Sequence, residues 1–151
     1  MRAPALALIV ATLPLLMAPA HPQDKANPPR KDADESAKKV KELQKERIAT
    51  LKDLVDATYQ NHLAGRGDFN EVIESQAALF QAKLELEDKG PERIAIYKDA
   101  VEAMTKLEMS AESRLKAGRG SQAVLLKARA KRLEFEIALE KETAKPAKEN
   151  K

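Results

Sequence analysis

The amino-acid sequence predicts an all-α protein made of two duplicated antiparallel helical hairpins, with four long helices in all. Charged residues make up 34% of the chain and aromatic residues only 3%, a balance that favours long helices around a thin aliphatic seam. Apolar residues recur at spacings of three and four, which is the helical period. Between Arg30 and Lys145 there is a single proline, Pro91, and all five glycines fall at three places. An up-down bundle and an open coiled-coil array both fit this pattern.

The first 20 residues are predicted to be a secretory signal peptide. Arg2 is their one charged residue, an apolar run follows, and residues 18–20 read APA, an A-x-A cleavage pattern. Cleavage before His21 implies export across a bacterial inner membrane to the periplasm or cell envelope. A membrane anchor is disfavoured because the apolar run is short of the about 20 residues that a span needs. No transmembrane span is expected after cleavage.

Residues 21–33 are predicted to be a disordered linker and residues 144–151 a disordered tail, because neither has periodic apolar residues. The helical hairpin repeat domain lies between them at residues 34–143. Hairpin 1 covers residues 34–89 and hairpin 2 covers residues 91–143. The chain has no cysteine, so neither a disulfide nor a lipid-bearing cysteine is expected.

Hairpin 1 contains two predicted helices. The first runs from about Asp34 to Leu63. The second runs from Asp68 to about Lys89, with Asp68 as its N-cap and Glu71 completing a capping box. The residues on the apolar side at helical spacing are Ile48, Leu51, Leu54, Val55, Tyr59, His62 and Leu63 in the first helix, and Phe69, Val72, Ile73, Phe80 and Leu84 in the second.

Hairpin 2 follows the same plan. Its first helix is expected from Pro91 to Lys116, since proline needs no hydrogen-bond partner in a first helical turn. Its second helix is expected from Ser121, acting as N-cap, to about Thr143. The apolar residues are Ile94, Tyr97, Val101, Met104, Leu107, Ala111 and Leu115 in the first helix, and Leu125, Leu126, Leu133, Ile137 and Leu139 in the second.

An internal repeat relates the two hairpins. The segments ERIATLKDLVDA (46–57) and ERIAIYKDAVEA (92–103) share eight of twelve positions at an offset of 46. Each is followed by AGRG, at residues 64–67 and 117–120, an offset of 53. The seven additional residues (53 − 46) make about two helical turns, so they lengthen the third helix without rotating its buried face. An up-down path therefore places both AGRG turns at the same end.

Three interpretations of the AGRG turns stay open at this point. A glycine-rich segment between helices is often only a turn, which duplication then copies. A G-x-G segment before a helix offers backbone donors to a phosphate, but neither copy completes G-x-G-x-x-G and no strand precedes it. In the third interpretation, each turn is a hairpin tip that presents an exposed arginine to a protein partner.

The turns and the helices after them resemble the periplasmic α-hairpins of TolC-type outer-membrane efflux proteins. The shared pattern is A-G-x-x-[small polar]-x-x-[acid]-[apolar]-[apolar], followed by a helix that ends in L-x-L, and the likeness covers residues 46–142. The second copy departs from it at Val124, where an acid is expected. The matching residues are Gly65, Asp68, Glu71, Val72, Ile73, Gln76, Leu79, Ala82 and Leu84 in the first copy, and Gly118, Ser121, Leu125 and Leu126 in the second.

This resemblance implies a function in protein–protein contact within an efflux or transport assembly of the cell envelope. In that family, hairpin tips meet the adaptor protein of the assembly. The barrel strands of the family have no counterpart here, because only residues 89–91 separate the hairpins and no segment alternates as a membrane strand does. The tip residues assigned to partner contact are Gly65, Arg66, Asp68, Gly118, Arg119 and Ser121.

No enzyme, metal site or cofactor is predicted. His62 has no acidic residue or second histidine three or four positions away, and no serine lies in a G-x-S-x-G motif. Positive and negative charges are mixed along the predicted helices, so nothing indicates a nucleic-acid partner. Two alternative functions fit the same helices. One is a soluble periplasmic chaperone, or holdase, of Skp-like character, and the other is a structural coiled-coil oligomer formed by self-association.

Overall fold

The protein is all-α, as predicted. A computed structural model describes residues 30–145, with side chains from residue 33, so the predicted signal peptide and most of the predicted linker and tail lie outside the described residues. Helices α1 and α2 form hairpin 1, and α3 and α4 form hairpin 2. The bounds are Arg30–Leu63 for α1, Phe69–Leu86 for α2, Gly90–Lys116 for α3 and Gln122–Thr143 for α4.

Two helix bounds differ from expectation by more than one residue, and α3 begins at Gly90, one residue before the expected Pro91. Helix α1 begins at Arg30, so residues 30–33 are helical although the sequence predicts a linker there. Helix α2 ends at Leu86 rather than near Lys89, because residues 87 and 89 are extended and Lys89 serves as the N-cap of α3.

Helix α2 is the central element of the fold. Nine of its 18 residues are buried, against three of the 27 in α3 and three of the 22 in α4. One face of α2 packs against α3 and α4 in two apolar clusters, around Ile73 near the turns and around Phe80 nearer the other end. The opposite face carries Ser75, Leu79 and Ala82, at the 4-3 spacing of a single helix face. This second face is buried by α1.

Helix α1 lies against α2 and, within the described residues, comes close to no other helix. This part of the chain is therefore not a closed four-helix bundle: α2, α3 and α4 surround the apolar core, and α1 forms an outer layer. The α1 side chains that face α2 follow a heptad spacing of 4-3-4-3-4. They are Gln44, Ile48, Leu51, Val55, Thr58 and His62.

Polar contacts fix the register of α1 on α2. The buried hydroxyls of Thr58 and Ser75 lie 2.9 Å apart, and Gln44 donates to the Glu85 carbonyl at 3.3 Å. Because α1 has 34 residues and α2 has 18, their lengths are about 51 and about 27 Å. Residues 30–43 of α1 consequently extend past the end of α2.

Both AGRG segments form the same Schellman C-cap, in which the first glycine adopts a left-handed conformation. Gly65 has φ +70° and Gly118 has φ +68°. At the first turn, Arg66 N–H donates to the Asn61 carbonyl at 2.9 Å and Gly65 N–H to the His62 carbonyl at 3.0 Å. The second turn repeats both bonds, at 2.8 and 3.0 Å. These bonds satisfy carbonyls that a helix end leaves unpaired.

The second glycine of each turn lies where the backbone packs closely, so that an added Cβ would be crowded. A Cβ atom at Gly67 would lie 3.1 Å from the Cβ of Asn61, and one at Gly120 would lie 3.1 Å from the backbone nitrogen of Leu115. The chain folds back over the last turn of the preceding helix at both places. Turn geometry thus accounts for all four glycines of the repeat.

Arg93 joins the helices at the opposite end of the molecule. Its guanidinium donates to the carbonyls of Leu84 at 2.7 Å and Glu87 at 3.1 Å, which are left unpaired where α2 ends. It also lies 3.4 Å from the Glu142 carboxylate of α4. One side chain therefore connects α2, α3 and α4 where the chain passes from hairpin 1 to hairpin 2.

Replacing the first glycine of either turn should destabilise the protein. We expect Gly65→Ala and Gly118→Ala each to lower the free energy of unfolding by about 1 kcal/mol, since alanine is strained at positive φ. Gly90→Ala is the matched control, because Gly90 begins α3 without a positive φ and a Cβ added there would have no atom within 4 Å. Urea denaturation measures all three. Equal values for the three variants would contradict the assigned turn geometry.

Candidate interaction site at the two turns

The two AGRG turns lie side by side at one end of the molecule, as the repeat predicted, and they enclose an open cleft. One wall comes from the start of α2 and the other from the end of α3 and the start of α4. Of the six residues assigned to the tips, Asp68, Arg119 and Ser121 line this cleft, whereas Gly65, Arg66 and Gly118 lie outside its lining. The other lining residues include His62, Gly67, Phe69, Asn70, Ala111, Arg114, Gly120 and Val124.

Phe69 forms the contact between the two hairpins at this end. Its side chain is buried in the cluster with Ile73 and Ala111. The His62 ring packs against it with 5.0 Å between centroids, and the Arg114 guanidinium lies 5.4 Å from its centre, on the hairpin 2 side. The equivalent position in the second copy is Gln122, so the two tips have the same backbone but different side-chain surroundings. The sequence placed Phe69 on the apolar face of the second helix, but it predicted neither a contact of Phe69 with hairpin 2 nor any role for Arg114.

His62 contacts the backbone of the first turn and packs beside it. Its Nδ1 lies 3.2 Å from the Gly67 carbonyl oxygen, and its ring is half-buried against Phe69. The corresponding residue of the second turn is Leu115, which packs on the same apolar cluster without a polar contact. His62 therefore acts in the packing of the turn.

The caps of α2 and α4 are formed by the predicted residues. The Asp68 carboxylate accepts from Asn70 N–H at 3.0 Å, and the Ser121 hydroxyl accepts from Val124 N–H at 3.3 Å. The predicted capping box is not formed. The Asp68 carboxylate accepts from the Asn70 side-chain amide, at 3.0 Å, as well as from its backbone N–H, and the Glu71 N–H donates to the Asp68 carbonyl at 3.1 Å. The backbone N–H of Asn70, with its side-chain amide, lowers the pKa of the Asp68 carboxyl. The ionised carboxylate thus stabilises the N-terminus of α2.

Arg66 and Arg119 are exposed, and neither forms an ion pair or side-chain hydrogen bond with any residue in the described range 30–145. Nearby lysines behave differently, since Lys116 pairs with Glu112 at 2.8 Å and Lys127 with Glu74 at 3.1 Å. The turn uses the backbone of each arginine and leaves its guanidinium in solvent. With Arg114 they place three guanidinium groups at this end, next to the Asp68 carboxylate.

The cleft offers hydrogen-bond donors, positive charge and a small apolar floor. Within residues 30–145, no group of three or more His, Asp or Glu residues is placed to hold a metal ion. In the same part of the chain, none of the helices has the length and apolar character that crossing a membrane requires. No family model, curated protein or solved structure matches this chain.

Removing the Asp68 cap should destabilise α2. We expect Asp68→Ala to lower the free energy of unfolding by about 1 kcal/mol at neutral pH, and Asp68→Asn to lower it less, because asparagine also caps well. The folded-state pKa of Asp68 lies below its unfolded value of 3.8, so the charge-dependent part is present above pH 3.8 and lost as pH falls through the folded-state pKa. Urea unfolding between pH 2 and 7 measures both effects. A wild-type advantage over Asp68→Asn that grew on acidification would refute the assigned role.

Proposed function

We propose that this protein is an exported, TolC-like α-helical component of an efflux or transport assembly in the cell envelope. It acts by protein–protein contact through the end that carries both AGRG turns. The partner is a protein, in the TolC-type families an adaptor, and no catalytic step, cofactor or nucleic acid takes part.

The observation that carries this proposal is the different use of glycine and arginine in the repeated turn. The four glycines are explained by left-handed and closely packed backbone. Arg66 and Arg119 are not required by that backbone, and their guanidinium groups are exposed at the same end. Arginine is enriched at protein interfaces, where its planar group pairs with carboxylates. The partner surface is therefore expected to be acidic.

The resemblance to TolC-type hairpins supports the helical part of the proposal only. Each hairpin has a glycine C-cap followed by a capped second helix, as the shared pattern requires. Residues 30–145 contain helices and turns and no strand.

A holdase is the second candidate, and one feature favours it. A groove runs between α1 and α3 over α2, and apolar side chains of all three helices line it. Exposed apolar side chains also occur on α1, including Leu54 and Leu63. A groove of this kind suits an unfolded apolar segment. Lining residues are Val55, Tyr59, Val72, Gln76, Ala103, Lys106, Leu107 and Ser110, among others.

Site-specific photo-crosslinking in the native cell separates these functions. The probe is placed at Arg66 or Arg119, and at Lys98, an exposed cation in the N-terminal half of α3, as a matched control. We expect one discrete protein to be trapped from both turns and not from position 98. We also expect Arg66→Glu with Arg119→Glu to abolish its capture, while Lys98→Glu leaves capture unchanged.

Two other outcomes would contradict the proposal. Many different clients trapped from all three positions would indicate a holdase. Only self-crosslinks, or none, would mean that AGRG is a turn copied by duplication and that the contact surface lies elsewhere.

A further inference from the structure

Helix α4 carries a second apolar seam that faces away from the core. Its buried residues, Leu125, Ala128 and Phe135, pack against α2 and α3. On the outer side, Leu126 is 50%, Leu133 42% and Ile137 54% exposed. With two exposed alanines these residues form a continuous row at the spacing 3-4-3-4. The outer seam consists of Ala123, Leu126, Ala130, Leu133 and Ile137.

This spacing is that of a coiled-coil interface. A helix face that only meets water is normally polar, whereas a row of Leu, Ile and Ala at heptad spacing buries itself against another helix. None of the other three helices covers the outer seam, since α4 packs on α3 and α2 through its opposite side. A helix that covers the outer seam would therefore belong to a second molecule or to a part of this chain outside residues 30–145.

The seam is complementary to itself when two copies run antiparallel. In the antiparallel alignment considered, Leu126 of one copy lies opposite Ile137 of the other. In the same alignment Ala130 meets Leu133, and each contact occurs twice by symmetry. Small residues thus face large ones in the central layers. A parallel pairing would place Ala130 against Ala130 and leave a gap in the middle of the seam.

The charged residues that flank the seam agree with the antiparallel alignment. On one flank Lys127 faces Glu134 of the second copy, and on the other Arg129 faces Glu136. Symmetry doubles these to four pairs of opposite charge. All four side chains are accessible in the single copy, with 41% and 53% exposure for Lys127 and Glu134, and 49% and 39% for Arg129 and Glu136. Each of the four already has an ion-pair partner in the single copy, so the new contacts extend existing surface networks. The partners of Lys127, Glu134, Arg129 and Glu136 are Glu74, Lys131, Glu108 and Arg132, in that order.

We propose that the outer seam of α4 binds the α4 helix of a second copy of this chain, forming an antiparallel homodimer. The seam covers residues 123–137, about 22 Å of helix, which is small for a stable interface. The dimer is therefore expected to dissociate on dilution. This contact is separate from the two turns, so it stands or falls independently of the proposed function.

Analytical ultracentrifugation of the mature chain over a concentration series tests the association. We expect a monomer–dimer equilibrium, and an increase of at least about tenfold in the dissociation constant for Leu133→Glu. Leu54→Glu on α1 is the matched control, because Leu54 is exposed to 46% and lies away from α4. Lys127→Glu should weaken the dimer, and combining it with Glu134→Lys should restore it. Circular dichroism confirms that each variant keeps its helices.

Disulfide trapping tests the orientation, because the chain has no cysteine of its own. Ala130→Cys and Leu133→Cys are prepared as separate proteins and oxidised alone and mixed. Antiparallel pairing predicts a crosslinked dimer mainly in the mixture, whereas parallel pairing predicts crosslinks within each single variant. A monomer at every concentration, a dimer insensitive to Leu133→Glu, or crosslinks only in the unmixed samples would overturn the proposal.

Discussion

The fold depends on the burial of α2 on two opposite faces. A helix of 18 residues that buries nine of them cannot lie at the edge of a layer, and it needs neighbours on both sides. The face of α2 that carries Ile73 and Phe80 packs against α3 and α4 in the apolar core. The face that carries Ser75 and Leu79 packs against α1. Residues 30–145 thus form a three-helix core with one added helix. The outer position of α1 and the open groove between α1 and α3 both follow from this arrangement.

The helices and turns could be predicted from sequence because they depend on local chemistry. Glycine at a left-handed C-cap, proline after Gly90 and a capping residue at the start of α2 and α4 act within a few residues. The capping box was predicted wrongly, since the Asp68 carboxylate accepts from the backbone N–H and the side-chain amide of Asn70 and not from the backbone N–H of Glu71. Local patterns name the residues that can make such a contact but do not rank them.

The unequal roles of α1 and α3 could not be predicted, because the repeat gives both helices the same pattern. Ile48 and Ile94 occupy equivalent positions, as do Arg47 and Arg93. Arg47 pairs with Glu85 at the surface, whereas Arg93 connects three helices. The difference arises from α2, whose two faces have different partners. The same holds at the turns, where Phe69 and Gln122 share a backbone position and only Phe69 links the hairpins.

Native-state hydrogen exchange of the single chain tests the central place of α2 most directly. Two-sided burial predicts the slowest exchange for α2 amides around Ile73 and Phe80, with opening free energies close to that of global unfolding. Residues 34–43 of α1, which extend past α2, should exchange far faster, and the remainder of α1 should be intermediate. Protection of α1 equal to that of α2 along its whole length would contradict the three-helix core.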